Sequence, residues 1–196
     1  MKIKRPESAQ PIPKDAKKVF SGVLFDVYQW EQKQFDGTYK TFEKLSRPDN
    51  VTIFPVLDNG KILLSEQNQP GRTNGFIDGF GGKVEEGEDA LITAKRELLE
   101  ESGYEASEYI LWKAIHPATK IDWVVYIFIV KGLKKVSKKN LDSGEKIKFK
   151  PVTLEEFISI ASTSRFAEKG ILPELLEAKL DSKKYKELKK LFKSIK

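Results

Sequence analysis

The sequence contains no cysteine and only one histidine, His116, among its 196 residues. The lack of cysteine excludes disulfide bonds, a zinc site held by thiolates and a cysteine nucleophile. The longest apolar run, Trp123–Val130, has the length of a strand, whereas a membrane-spanning helix needs roughly 20 apolar residues. The first residues, MKIKRPESAQPIPK, contain no apolar stretch typical of a signal peptide. These absences favour a globular protein of the cytoplasm with no membrane partner.

The positive charge of the chain is concentrated at its C-terminal end. Lysine and arginine total 35, and aspartate and glutamate total 29, which gives a formal charge of +6 at pH 7. The last 14 residues, KKYKELKKLFKSIK, contain seven lysines and one glutamate and therefore account for all of this excess. Because the remainder of the chain is close to neutral, the composition does not indicate a basic face for nucleic acid.

Four segments of the chain differ in composition. The first contains three prolines and little apolar content and is predicted to be a flexible arm. The second has strand-like runs around the turn signal Asp36-Gly37, which predicts an antiparallel β element. The third is the main domain, and the fourth is a lysine-rich helix with an apolar stripe. The segments are residues 1–17, 18–48, 49–182 and 183–196.

The main domain combines strand and helix patterns. VTIFPVL and KILLSEQ flank a second turn signal, Asp58-Asn59-Gly60, and SEYILWKAI, DWVVYIFIV and IKFKPV have the composition of further strands. One long helix pattern separates these groups, and Thr153 with Glu156 forms a capping box before another helix. Trp123 lies in an apolar strand and is a predicted core residue. Strands on both sides of one long helix, with more helices at the end, predict an α/β fold with a mixed sheet between helical layers.

The long helix pattern ends in three glutamates, in the stretch GGKVEEGEDALITAKRELLEESGY at residues 81–104. Glu97 lies three residues before Glu100 and four before Glu101, so the three carboxylates converge on one edge of the helix. Negative charge at the C-terminal end of a helix costs about 0.3–1 kcal/mol per carboxylate, and like charges at these spacings add to the cost. The cluster is either a solvated acidic face or a site for a multivalent cation.

The surrounding residues favour the cation. All the converging ligands are oxygens, which favours Mg²⁺ or Mn²⁺ over zinc. Gly81-Gly82 and Gly87 predict a tight loop before the helix, and Arg96 lies beside the cluster, where its planar guanidinium can hold carboxylates in place. The chemistry expected of such a site is metal-assisted attack of water at phosphorus.

The same stretch resembles the Nudix box. Gly82, Glu88, Arg96–Gly103 and Tyr104 occupy every fixed position of that pattern. The resemblance implies a hydrolase that acts on a nucleoside diphosphate linked to another moiety, with an α/β/α sandwich and a divalent metal ion. It also implies that Arg96 and Glu88 form an ion pair that braces the loop, while Gly103 provides the left-handed cap of the helix. The implied metal ligands are Glu97, Glu101, Glu100 and the backbone carbonyl of Gly81.

The span from about residue 19 to residue 180 is similar to the ADP-ribose pyrophosphatase branch of this family. Members of that branch carry an N-terminal antiparallel element that swaps across a dimer, so we expect a homodimer. Phe42 falls where the branch often has an aromatic residue that stacks on adenine, and Arg47 where it has an arginine that reaches phosphate or ribose. The other interpretations are a core or interface aromatic for Phe42 and a surface residue for Arg47.

Two positions depart from the branch. Before the box the branch typically reads Glu-Leu-Pro-Ala-Gly, whereas this chain has Asp78-Gly79-Phe80-Gly81-Gly82. Asp78 keeps the acid and is a candidate substrate ligand. The Gln-aromatic-Arg pattern of the branch is Gln67-Asn68-Gln69 here, so Arg72 is a candidate to supply the missing charge. These departures weaken the assignment to ADP-ribose but not the assignment to a hydrolase.

The catalytic base is also suggested by the resemblance. The branch uses a glutamate in a loop after the central strand to orient or deprotonate water, and in KNLDSGEKIKF that position fits Glu145. Glu145 is therefore the predicted base and Glu100 the second candidate, while a solvated turn is the other interpretation of this loop. His116, which precedes Pro117, is interpreted as a structural residue.

Together these features predict hydrolysis of ADP-ribose to AMP and ribose 5-phosphate with Mg²⁺ or Mn²⁺. Nucleotide sugars of the GDP-mannose type and nucleoside triphosphates are the alternative substrates. A Nudix domain that senses a nucleotide without cleaving it is an alternative of another class, against which the complete box argues. An RNA-binding role for the lysine-rich helix is a third alternative. Its apolar stripe argues against that role, because the lysines can extend to water from a packed helix.

Overall fold

The computed structural model describes residues 3–137 and 146–195, and these contain ten strands and four α-helices. The strands are β1 (Lys17–Ser21), β2 (Asp26–Lys33), β3 (Tyr39–Ser46), β4 (Asn50–Pro55), β5 (Ile62–Asn68), β6 (Phe76–Asp78), β7 (Tyr104–Ile115), β8 (Ile121–Asp122), β9 (Val125–Lys135) and β10 (Lys146–Val152). The helices are α1 (Ala90–Ser102), α2 (Leu154–Ala161), α3 (Leu172–Leu180) and α4 (Ser182–Leu191).

The N-terminal β element is a sheet in the order β1-β2-β3-β8. The turn at Asp36-Gly37 joins β2 to β3 as predicted, with Gly37 at a φ of 87°. The strand-like run before Asp36-Gly37 forms two strands, because a further turn separates β1 from β2. In that turn the backbone N–H of Gly22 donates to the carbonyl of Phe25 at 2.9 Å.

The main domain contains the predicted mixed sheet. β9 lies between β4, to which it is parallel, and β7, to which it is antiparallel. A second sheet has the order β10-β5-β6, and the Asp58-Asn59-Gly60 turn connects it to β4. Single bridges from Ile53 to Phe80 and from Asn50 to Lys83 join β4 to the loop that precedes α1. These bridges fix that loop against the centre of the domain.

Alternation along β9 divides the core into two layers. Val125, Ile127 and Ile129 belong to a cluster with α2, α3 and α4, whereas Tyr126 and Phe128 belong to a cluster with α1. Residues at successive positions of a strand point to opposite faces of a sheet, so β9 is covered by helices on both sides. The chain is therefore an α/β/α sandwich, as predicted.

The lysine-rich terminal segment packs on the domain through its apolar stripe. Leu188 and Phe192 are buried, and the Phe192 ring lies 5.5 Å from that of Trp112 and 5.7 Å from that of Phe157, both edge-on. The helix ends at Leu191, earlier than the predicted span of residues 183–196. Among the helices of residues 3–137 and 146–195, none is long and apolar enough to cross a membrane.

Candidate active site

The helix that carries the three glutamates is fixed at both of its ends. α1 begins after Asp89, whose Oδ1 accepts hydrogen bonds from the backbone N–H groups of Leu91 and Ile92, each at 2.9 Å. It ends at Gly103, which has a φ of 69°, a left-handed conformation that glycine adopts without strain. The glutamates of the last turn therefore project from a regular, capped helix.

Arg96 connects the loop before α1 to two of these glutamates. Its Nε and Nη2 donate to the two carboxylate oxygens of Glu88 at 2.9 Å each, and Nη2 also donates to the carbonyl of Lys83 at 3.1 Å. Its Nη1 donates to Glu97 Oε1 at 2.7 Å and to Glu100 Oε2 at 3.1 Å. The hydrogen bonds from Arg96 lower the pKa of Glu88 to about 2, and those from Glu88 and Glu97 raise the pKa of Arg96. The structure thus contains the ion pair implied for Arg96 and Glu88.

Two glycines bring the loop into contact with the helix. The backbone N–H of Gly81 donates to Glu101 Oε2 at 2.8 Å, and Glu101 is only 4% exposed. A Cβ at Gly82 would lie 2.3 Å from Glu97 Oε1, so a larger residue would displace that carboxylate. Gly81 has a φ of 150°, and a Cβ there would lie 2.1 Å from the carbonyl oxygen of Val51. Glycine at position 81 therefore allows the loop to pack against the backbone of Val51, and glycine at position 82 leaves room for the Glu97 carboxylate.

The donor set of this region fits a hard divalent cation. Its members are carboxylates and a backbone carbonyl, the ligands that Mg²⁺ and Mn²⁺ prefer. Within the part of the chain that the structure describes, no group of three or more His, Cys, Asp or Glu side chains is gathered in metal-binding geometry. The positive Nη1 of Arg96 instead donates to both Glu97 and Glu100. The carboxylates of Glu97 and Glu100 therefore already converge on one positive charge, and the same convergence suits a metal ion.

A cavity of about 520 Å³ opens beside the glycine loop. Its polar lining includes Arg47, Asn50, Thr52, Arg72, Asp78 and Glu168, and its aromatic lining includes Phe76 and Trp123. Gly81 and Gly82 line the same cavity. The loop of the box therefore forms one wall of a space large enough for part of a nucleotide.

Two acidic side chains lie together in this cavity. Asp78 Oδ1 accepts from the backbone N–H of Gly79 at 2.8 Å, and Glu168 Oε2 accepts from Thr52 Oγ1 at 3.2 Å. Burial, and then the negative charge of Glu168, raise the pKa of Asp78 to about 7. The pair therefore presents hydrogen-bond acceptors and, near neutral pH, a carboxyl group that gains or loses a proton.

Arg47 and Trp123 form another wall. The guanidinium of Arg47 lies 4.6 Å from the centre of the Trp123 ring, and Asn50 Oδ1 accepts from Arg47 Nη2 at 2.7 Å and from Trp123 Nε1 at 3.0 Å. Arg47 Nε is buried and has no hydrogen-bond partner in the described part of the chain, and burial lowers the pKa of Arg47. Trp123 was predicted to be a core residue, but it is only partly buried and lines this cavity. The wall offers a ring face together with a cation.

The structure brings some of the predicted substrate residues together and not others. Arg47, Asp78 and Arg72 line the cavity, and Arg72 lies 4.0 Å from the centre of the Phe76 ring. Phe42 does not line it, and its ring lies 6.1 Å from that of Trp30 in the N-terminal sheet. Glu145, the predicted base, lies outside the described residues.

Sequence reasoning missed three cavity residues, namely Asn50, Thr52 and Glu168. Glu168 comes from the connection between α2 and α3, where the sequence resembles an ordinary polar loop. Thr52 carried a usable signal, since it is a polar residue with apolar neighbours on both sides in a strand that is buried along most of its length. Asn50 carried a weaker signal, because it occupies the first position of the same strand, where polar residues are common.

The sequence profile of the NUDIX domain matches residues 46–175, which is about two thirds of the chain. The chain belongs to the Nudix family. It is therefore a Nudix hydrolase that acts on pyrophosphate bonds, and Nudix hydrolases generally depend on a divalent metal ion. The Nudix box accordingly comprises residues 82–104, the loop and helix described above.

Several known proteins are similar to this Nudix hydrolase. An ADP-ribose pyrophosphatase of Bacillus subtilis (strain 168) is 29% identical over 147 residues, which are 74% of this chain and 80% of that protein. A methanol dehydrogenase activator of Bacillus methanolicus is 29% identical over 150 residues, which are 75% and 80% of the two chains. A crystal structure of an ADP compounds hydrolase covers 91% of this chain and 98% of its own, with a TM-score of 0.70 and 19% identity. That likeness shows the fold.

Proposed function

We propose that this Nudix hydrolase cleaves the diphosphate of ADP-ribose to AMP and ribose 5-phosphate, with Mg²⁺ or Mn²⁺ as its metal ion. The observation that carries the proposal is that Gly81 and Gly82 line the same cavity as Arg47 and Arg72. A diphosphate bound in that cavity would lie next to the glycine loop of the box and close to the guanidinium groups of Arg47 and Arg72. The relative from Bacillus subtilis, an ADP-ribose pyrophosphatase, supports the choice of substrate.

Each wall of the cavity suits a different part of ADP-ribose. Arg47 and Arg72 carry charge for the phosphate oxygens, since guanidinium groups bind phosphate in a planar, two-point manner. Trp123 offers a ring face for adenine. Asp78 and Glu168 are acceptors for ribose hydroxyls or for the amino group of adenine, and their negative charge disfavours a phosphate at that position.

A bound Mg²⁺ or Mn²⁺ would neutralise charge on the diphosphate and lower the pKa of a water molecule. The residues that would hold it are Glu97, Glu101, Glu100 and the backbone carbonyl of Gly81. Arg96 keeps Glu97 and Glu100 oriented, and Glu88 keeps Arg96 in place.

In the reaction itself, the oxygen of one water molecule forms a bond to a phosphorus atom while the bridging P–O bond of the anhydride breaks. A carboxylate accepts the proton of that water. Glu145 stays the predicted base, with Glu100 as the second candidate. The two products are AMP and ribose 5-phosphate, and one water is consumed for each ADP-ribose.

The proposed substrate is tested by turnover on a panel of nucleotides. ADP-ribose, GDP-mannose, UDP-glucose, a deoxynucleoside triphosphate and diadenosine polyphosphate are each incubated with Mg²⁺, with Mn²⁺ and with EDTA. We expect ADP-ribose to have the highest kcat/KM, with AMP as a product and no turnover in EDTA. A higher kcat/KM for GDP-mannose or a triphosphate would contradict the substrate assignment and leave the Nudix chemistry in place. Binding without cleavage of any nucleotide would indicate a sensor.

We also propose that the enzyme is a homodimer that assembles through its N-terminal sheet. Large apolar side chains are exposed there, including Val23 at 110% and Phe35 at 113% of the reference area, together with Phe20. A dimer that covers them would also provide a place for Phe42 near a partner's cavity. Sedimentation equilibrium of the wild type is expected to give twice the 22.4 kDa mass of one chain. A monomer at micromolar concentration would contradict this proposal.

The location in the cytoplasm stays a prediction from composition.

A further inference from the structure

Residues 3–16 of the N-terminal arm have no regular secondary structure, yet the domain holds them by specific contacts. Lys44 is only 1% exposed, and its Nζ donates to Ser8 Oγ at 2.8 Å and to the carbonyl of Gln10 at 2.6 Å. His116 Nε2 lies 3.2 Å from the carbonyl oxygen of Pro6. A buried ammonium needs such partners, so the arm is part of the folded domain at these positions.

Arg5 makes the most highly charged contact of the arm. Its Nε and Nη2 donate to the two carboxylate oxygens of Asp49 at 2.8 and 3.0 Å, in a two-point arrangement. Its Nη1 and Nη2 both donate to Asp122 Oδ1 at 3.2 Å. Arg5 therefore lies between two carboxylates and donates to both of them, at a position where both carboxylates are largely shielded from water.

These two aspartates directly precede residues of the cavity wall. Asp49 is followed by Asn50, and Asp122 is followed by Trp123, the two residues that hydrogen-bond to each other in that wall. Asp49 Oδ1 also accepts from the backbone N–H of Val124 at 2.8 Å. The contacts of Arg5 thus join the residue before β4 to the last residue of β8, each directly next in sequence to a residue of the wall.

We propose that the N-terminal arm is a clasp for the substrate cavity, in which Arg5 is a positioning residue that holds the wall of Arg47, Asn50 and Trp123 in its binding conformation. The inference rests on the proposed function in one respect, namely that this cavity binds the nucleotide. The guanidinium of Arg5 donates to Asp49 and Asp122, which belong neither to the box helix nor to the glycine loop. The clasp therefore acts on substrate affinity and not on the chemical step.

The physical reason is the balance of charge behind the wall. With Arg5 in place, the charges of Asp49 and Asp122 are both compensated, and the last residue of β8 is tied to the residue before β4. Without Arg5, the two carboxylates repel each other and the wall is less ordered. The free-energy cost of ordering it is then included in each binding event. If the wall is ordered in only a fraction of the molecules, the apparent Kd equals the intrinsic Kd divided by that fraction.

The experiment measures the Kd of ADP-ribose by calorimetry in EDTA, which separates binding from turnover. Arg5→Ala is compared with Lys4→Ala, a matched control that removes a neighbouring cation whose ion pair with Glu7 is exposed on both sides. We expect Arg5→Ala to weaken binding roughly tenfold, which is about 1.4 kcal/mol, and Lys4→Ala to leave the Kd unchanged. Arg5→Lys keeps the charge and loses the two-point geometry, so it is expected to give an intermediate Kd. This variant keeps the test informative if Arg5→Ala does not fold.

A double variant separates a clasp from a general effect on stability. Asp122→Asn removes one of the two facing carboxylates, so Arg5→Ala with Asp122→Asn is expected to recover most of the affinity. Under turnover conditions Arg5→Ala is expected to raise KM and leave kcat within about twofold, since the residues of the box are unaffected. Unchanged binding in Arg5→Ala, or no recovery in the double variant, would overturn the proposal.

The failure of the proposed function gives a different result. If wild-type protein does not bind ADP-ribose but binds another nucleotide of the panel, the substrate assignment is wrong and the same series is measured with that nucleotide. If the wild type binds ADP-ribose and every variant binds it equally well, the substrate assignment holds and the clasp does not exist.

Discussion

At the scale of single residues, Arg96 explains how several acidic side chains tolerate one another in the Nudix box. Three of its nitrogens donate to carboxylates of Glu88, Glu97 and Glu100. Each like-charge pair on a helix at these spacings costs a few tenths of a kcal/mol, whereas a hydrogen bond to a charged group contributes about 1.5–3 kcal/mol. One guanidinium therefore offsets the repulsion among the acids and keeps Glu97 and Glu100 close together, as the proposed metal site requires.

The raised pKa of Asp78 predicts a pH dependence of stability. The pKa is about 7 in the folded protein and 3.8 ordinarily, so between these values the folded state holds a proton that the unfolded state has released. Stability therefore falls as pH rises from about 4 to about 7, by at most about 4 kcal/mol, and is constant above that range. Asp78→Asn removes this loss, and we expect it to raise Tm at pH 8 more than at pH 5.

Thermal unfolding at the two pH values provides the measurement. Asp58→Asn, in the exposed turn between β4 and β5, is the control and is expected to shift Tm by the same small amount at both. A Tm difference between Asp78→Asn and the wild type that does not change with pH would show that Asp78 does not titrate in this range.

Residues of the box were predictable because their positions are fixed relative to one another within one loop and one helix. The role of Glu168 was not, because its contact with Thr52 joins residues 116 positions apart. No local pattern determines which loop reaches a cavity over that separation. Asp78 was named from its position before the box, but its raised pKa depends on Glu168 and so required the structure.

At the scale of elements, local rules predicted the capped helix and the hairpin turns that contain Asn-Gly or Asp-Gly. α1 has the predicted left-handed cap at Gly103, and Thr153 forms the predicted capping box. The turn between β1 and β2 was missed because Val23 and Leu24 are apolar residues of the kind found in strands, although both are exposed. Turn residues are usually polar, so these two positions followed the pattern of a strand.

The glycine loop predicts two different effects of adding one methyl group. Gly82→Ala places a Cβ against the end of the Glu97 side chain, which can rotate away, so we expect a large loss of kcat with a Tm close to that of the wild type. Gly81→Ala places a Cβ against the backbone of Val51 at a strained φ, so we expect Tm and kcat to fall together. Steady-state kinetics and thermal unfolding of both variants provide the comparison. Equal loss of Tm in the two variants would contradict the specific role of Gly82 in admitting Glu97.

At the scale of the whole molecule, the layered fold follows from the sequence more directly than the site does. Apolar residues on both faces of β9 require cover on both sides, and the helices on either side of it supply that cover. The docking of the arm could not be predicted, since Arg5 and Asp122 are 117 positions apart and the prolines of the arm indicate only an irregular backbone. The flexibility of the arm stays a prediction.

In the proposed function, the box glutamates and a divalent ion carry the hydrolysis of a pyrophosphate bond. A metal ion supplies several kcal/mol of transition-state stabilisation, and each 1.36 kcal/mol corresponds to tenfold in rate, so losing a metal ligand costs about 100-fold or more. The measurement is kcat for ADP-ribose with Mg²⁺ in the wild type and in Glu101→Gln, with Glu105→Gln on the exposed part of β7 as the control.

We expect Glu101→Gln to lose activity by about 100-fold or more while its Tm is unchanged or slightly raised, because removing one of several clustered negative charges relieves repulsion. Wild type in EDTA is expected to be equally inactive, and Glu105→Gln to match the wild type with Mg²⁺. Full Mg²⁺-dependent activity in Glu101→Gln, in a protein with a normal Tm, would contradict the account.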